Sequence, residues 1–113
     1  MLNQKYRFHS RGGVRYVYQK GKTIRTPKAS LVFADNLRGF TRFAVVVSKK
    51  VIKSAVGRNR VRRRIYEVLR LNFDSIPKKR DYVFVIYDKN FQKMPFREVE
   101  EAIADLIISS KNA

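Results

Sequence analysis

Residues 48–64 carry eight bases and no acid: Lys49, Lys50, Lys53, Arg58, Arg60, Arg62, Arg63 and Arg64, with Asn59 among them. Such a run has one obvious chemistry, the recognition of phosphates. Arginine matches a phosphate with a planar fork of donors and stacks on flat rings, whereas lysine acts as a point charge. The bland alternative is a solvated helix face, or a tract that tethers to any polyanion. Three features favour a folded binding surface. The run crosses a strand end, a turn and a helix start, so a frame holds the charges. Lys53, Arg58 and Arg60 crowd a helix N-terminus, where each exposed cation is unfavourable by ~0.3–1 kcal/mol; free N–H groups and the dipole make the same place a phosphate site. At about 100° per residue, Asn59, Arg63, Tyr66 and Arg70 fall opposite the apolar stripe Val61, Ile65 and Val68. Arg62 takes one shoulder of the helix, and Arg60 and Arg64 the other.

Other chemistries find little to work with. There is no cysteine, and the carboxylates form no recognisable catalytic pair, so a protein nuclease is a poor reading. His9 is the one histidine, and it reads as a loop or surface residue. Near it, Tyr6, Phe8, Tyr16 and Tyr18 alternate with Lys5, Arg7, Arg11, Arg15 and Lys20. Single-stranded nucleic acids are bound by such mixtures, although rings of this kind also cap sheets, and both readings stand.

Positioning these groups takes one modest domain, 1–113, which is all that 113 residues allow. A 44% hydrophobic content separates the chain from disordered polyelectrolytes. Its net charge of +17 is polarised: residues 1–80 hold 22 bases and 3 acids, residues 81–113 only 4 bases and 6 acids. A folded domain tolerates that self-repulsion best beside a polyanion. The absence of cysteine, of a long apolar run and of a signal-peptide pattern leads us to expect a cytoplasmic protein without a membrane partner.

The pattern predicts irregular chain over 1–13, broken by Ser10, Gly12 and Gly13, then a short helix or strand over 14–20 ended by Gly21. Strands are expected at 29–34 and 43–47, linked by a hairpin loop containing Asn36 and Gly39. A helix over 55–73 follows, with Ser54 as its N-cap. The run Tyr-Val-Phe-Val-Ile-Tyr at 82–87 makes another strand, and an acidic amphipathic helix over 95–109 closes the chain. Its acids read as a solvated face. The class is α+β, a two-layer α–β sandwich over a small mixed sheet.

Ser48-Lys49-Lys50, followed by Ser54-Ala55-Val56-x-Arg58-Asn59-Arg60-x-Arg62-Arg63, resembles the signature of the bacterial ribonuclease P protein, and the likeness extends from about Val14 onward. The resemblance implies a fold like the second domain of ribosomal protein S5, with a left-handed β-α-β crossover. It also implies that the catalyst is an RNA subunit carrying Mg2+, that the protein binds no cofactor, and that ribonuclease P RNA and precursor tRNA are its partners, with no protein partner evident. Lys49, Lys50, Lys53, Arg58, Asn59, Arg60, Arg62, Arg63 and Arg64 would then meet the ribozyme RNA.

In that family two Phe residues four apart on an N-terminal helix face the 5′ leader; Val14 and Tyr18 hold those places here. Tyr18 can stack and Val14 cannot. Phe8 is a candidate for the missing ring, and Val32 or Phe33 for the aromatic position on the first strand. A structural ribosomal protein and a nonspecific DNA- or membrane-binding domain remain the alternatives, which the Ser-Lys-Lys to Arg-Asn-Arg spacing disfavours.

Overall fold

A computed structural model describes residues 2–8, 11–36 and 39–111; His9, and residues 37–38 of the expected hairpin loop, lie outside them. Helix α1 spans Arg11–Lys20, strands β1, β2 and β3 span Lys22–Arg25, Ala29–Asp35 and Arg42–Val47, helix α2 spans Ala55–Leu71, strand β4 spans Arg80–Ile86 and helix α3 spans Phe96–Lys111. The sheet order is β1-β2-β4-β3, with β2–β4 antiparallel and β3–β4 parallel. Residues 55–71 therefore form the helix of a β-α-β unit, and the sheet is mixed as expected.

Two expectations need correction. β2 and β3 do not form a hairpin, because β4 lies between them. The reason is burial: Tyr82, Val83, Phe84 and Ile86 are all buried, so this strand needs an element on each face and a partner on each edge. A buried carboxylate fixes its start. Asp81 accepts from Arg42 Nε at 3.0 Å and Nη2 at 2.8 Å, and from Asn36 Nδ2 at 2.8 Å, which joins β4 to β3 and to the end of β2.

Helix α1 is the second correction, since it begins at Arg11 and takes in Gly12 and Gly13. Each glycine weakens a helix by about 1 kcal/mol. Val17, fully buried against Phe8, Val32, Ala44 and Val83, anchors the helix to the sheet by more than local propensity provides. Gly21 is required where α1 meets β2: a Cβ there would lie 2.5 Å from the Val17 carbonyl oxygen and 2.6 Å from that of Phe33. β1, which the sequence pattern did not single out, is set by a turn in which Thr26 Oγ1 donates to the Ala29 carbonyl and accepts from the Ala29 amide.

The main core lies on the opposite face of the sheet. Val61, Ile65, Val68 and Leu69 of α2 and Val99, Ile103, Leu106 and Ile107 of α3 pack there against Leu31, Phe43, Tyr82 and Phe84. α2 and α3 thus cover one face while α1 lies on the other, leaving space beside it.

Candidate nucleic-acid interface

Ser54 is the N-cap of α2, its Oγ accepting from the Gly57 amide at 2.9 Å. The first turn contains no acid, so nothing in it offsets the positive end of the dipole. The basic residues around it fall into two groups. Arg58 donates through Nη1 to the carbonyls of Ile52 (3.0 Å) and Lys53 (2.8 Å), tying the preceding loop to the helix. Arg60 Nε donates to Gln92 O at 2.9 Å, and Arg64 donates to Phe91 O at 2.7 Å and to Met94 O. These two clamp the turn between β4 and α3. Burial, then the neighbouring Arg60, pushes the Arg64 pKa down from its usual value. Arg62 reaches the other way, to Asn59 Oδ1 at 2.9 Å and Val45 O at 3.4 Å.

Lys49, Lys50, Lys53 and Arg63 form the second group: they are exposed, and their side chains make no hydrogen bond or ion pair with any described residue. Asn59 is exposed beside them, and Val56 stands 78% exposed in the first turn. The expected arc of α2 needs one correction. Tyr66 is buried, not presented with Arg63 and Arg70. Arg7 from the N-terminal segment lies over its ring, 5.4 Å from the centroid. Burial pushes the Tyr66 hydroxyl up, against the opposing pull of Arg7 and Arg62.

Among the cavities beside α1 are one at Val14 and one at Tyr18. The larger, about 710 Å³, is lined by Gln4, Arg7, Val14, the outer edge of β3 over 44–47, Arg62 and Tyr66. Arg7 Nε is buried with no hydrogen-bond partner among the described residues. Val14 and Arg62, expected to serve different RNAs, thus line one space. The smaller, about 350 Å³, is lined by Tyr18, Thr23, Arg25, Ser30, Val32, Val85 and Tyr87. Tyr18 is 46% exposed and Tyr87 49%; burial, then proximity to Tyr87, pushes the Tyr18 hydroxyl up.

Two of the proposed leader-facing rings are elsewhere. Phe33 is buried among α2, α3 and the sheet, stacked on Tyr82 at 6.3 Å between centroids. Strand alternation explains this: Val32 faces α1 and Phe33 faces away, so of the two candidates only Val32 lines the cleft. Phe8 is also buried, beneath α1, with the Arg42 guanidinium 4.3 Å from its ring centroid. It supports the cleft and presents no free ring. Tyr87 is the ring on this cavity that the sequence analysis did not single out. Its position at the end of an otherwise buried strand run was the available signal. Among the described residues no three His, Cys, Asp or Glu side chains gather as a metal site, and no helix is long and apolar enough to cross a membrane.

Comparison with known proteins adds independent findings. The family model described as Ribonuclease P matches residues 2–110. The ribonuclease P protein component of Finegoldia magna is 35% identical over 96 residues, covering 85% of this chain and 82% of that one. Its counterpart from Pelotomaculum thermopropionicum is 36% identical over 91 residues, covering 80% of each. Among solved structures, the RNase P protein from Thermotoga maritima superposes with a TM-score of 0.80 at 27% identity, covering 89% of this chain and 94% of that one. The Staphylococcus aureus RNase P protein gives 0.82 at 20% identity, covering 94% and 95%, a likeness of fold.

Proposed function

The chain belongs to the ribonuclease P protein family, and from that premise we propose that it binds both the catalytic RNA of ribonuclease P and the 5′ leader of precursor tRNA. In this reading the exposed cations Lys49, Lys50, Lys53 and Arg63, with Asn59, meet the ribozyme RNA. Arg58, Arg60, Arg62 and Arg64 hold that surface in shape and present their remaining donors. Tyr18, Val14 and Val32 line the path of the leader. The RNA subunit and its Mg2+ supply the hydrolytic chemistry, and this chain supplies attachment, orientation and charge neutralisation in the cytoplasm.

One observation carries the reading above all. The cavity that joins α1 to α2 has Val14 and Arg62 in the same lining, so a strand crossing the sheet beside α1 arrives at the basic helix. Reconstitution tests the proposal. With bacterial ribonuclease P RNA at low magnesium, added protein should restore cleavage of precursor tRNA at the mature 5′ end, and protein scrupulously free of RNA should cleave nothing. Metal-dependent cleavage by the protein alone, or no stimulation of the RNA, would overturn it.

A further inference from the structure

Arg42, the first residue of β3, lines neither the cavity at Val14 nor the one at Tyr18. Both the edge and the face of its guanidinium are occupied all the same. The edge, Nε and Nη2, donates to the two carboxylate oxygens of Asp81 at 3.0 and 2.8 Å, and this two-point hold fixes the guanidinium plane. The face lies over Phe8, with 4.3 Å between the guanidinium carbon and the ring centroid. Phe8 is held by its backbone as well, the amide donating to Phe43 O at 2.8 Å. Its side chain, 6% exposed, packs with Val17 of α1 and with Val32, Ala44 and Val83 of the sheet. Soon after Phe8, α1 begins at Arg11, with Gly12 and Gly13 in its first turn. A ten-residue helix with that start holds its place only through tertiary contacts.

We propose that Arg42 is a positioning residue for leader binding: clamped by Asp81, its guanidinium holds the Phe8 ring, and through it the start of α1, where the cleft needs them. The residue types suit this task. A cation over an aromatic face is attracted by the ring quadrupole, more strongly where water is excluded, and the Arg42 side chain is only 14% exposed. Lysine would keep the charge but has no plane to share between a carboxylate edge and a ring face. Asp81 also accepts from Asn36, just beyond β2. The ends of three strands and the N-terminal segment therefore meet at one stack of carboxylate, guanidinium and ring. The inference rests on the leader-binding reading above and adds to it a residue that acts through Phe8 rather than on the RNA.

The test uses the complex of this protein with ribonuclease P RNA and reads affinity and helix position separately. The chain has no cysteine, so Gln19→Cys on α1 and Ser109→Cys on α3, both exposed positions, take spin labels at those two places alone. Otherwise wild-type protein should give one narrow distribution of distances between them. Arg42→Lys should broaden it and weaken precursor binding about three- to fivefold, within the range for one cation–ring contact. KM for the precursor should rise while kcat holds. Ribozyme RNA affinity and mature tRNA affinity should hold too, and Tm should fall only slightly. Phe8→Leu, which keeps apolar bulk and removes the ring, should act in the same way. Adding Arg42→Lys to it should then weaken precursor binding no further. If Arg42→Lys melts far below wild type, Phe8→Leu carries the distance, affinity and KM comparisons alone. An unbroadened distribution, a fall in ribozyme RNA affinity equal to that for precursor, or full additivity of the two substitutions overturns the positioning role while leaving leader binding intact. A wild-type complex that does not distinguish precursor from mature tRNA overturns the leader-binding reading and this proposal with it.

Discussion

Two adjacent arginines on α2 should behave as residues of different kinds. Arg64 donates to Phe91 O and Met94 O, carbonyls of a turn whose Phe91 side chain is fully buried; Arg63 is exposed and engages no described residue. Hydrogen bonds from a charged donor contribute ~1.5–3 kcal/mol. Taking the lower end for the pair's partial exposure and the upper for both bonds, Arg64→Ala should destabilise the fold by roughly 1.5–3 kcal/mol. With about 2.1 cal/mol/K of unfolding entropy per residue, 113 residues give roughly 0.24 kcal/mol per degree, so Tm should fall by about 6–12 °C. Arg63→Ala should leave Tm within about 2 °C, as surface substitutions do. It should instead weaken ribozyme RNA binding and flatten the slope of log affinity against log salt by roughly 0.7–0.9, the signature of one lost phosphate contact. Thermal melts with salt titrations of RNA affinity read both quantities. Arg63→Ala melting early with its salt slope unchanged would refute the division into framework and contact residues.

Three further outcomes follow from the same geometry. Asp81→Ala leaves Arg42 with no carboxylate partner in a mostly buried site, and urea unfolding should show a loss of about 3–5 kcal/mol; a loss below 1 kcal/mol would mean the pair does not lock β4 into the sheet. Tyr18→Ala should weaken binding of leader-bearing precursor while ribozyme RNA affinity and Tm hold; a joint fall in all three would make Tyr18 a structural residue. Phe8→Ala, in contrast, should lower Tm markedly, by the ~3–5 kcal/mol typical of an emptied aromatic site, and circular dichroism melts would expose an error if stability were retained.

Elements with strong burial patterns were legible in the sequence. The stripe Val61, Ile65, Val68 and Leu69, the cap Ser54 and the apolar run at 82–87 announce α2 and β4 because their periodicity is imposed by the core. What escaped was decided by tertiary packing. Gly12 and Gly13 argue locally against a helix, and only the docking of Val17 on the sheet overrules them. The hairpin expected between β2 and β3 failed because adjacency in sequence carries no information about a third strand inserted between them. For the site, residue types identified the basic surface, while the split between Arg63 and Arg64 depends on carbonyls at positions 91 and 94, about thirty residues away. Tyr87 was visible only as the last residue of a strand, and its partner Ser30 lies 57 positions earlier.

The most direct test of the account is the affinity of the reconstituted protein–RNA complex for precursor tRNA against mature tRNA, measured with and without this protein. The protein should tighten binding of the precursor and leave mature tRNA unchanged, with the gain growing as the leader lengthens until it spans the cleft beside α1. Equal tightening of both tRNAs would contradict it, showing that the +17 charge acts as a general attraction and that the cleft holds no leader.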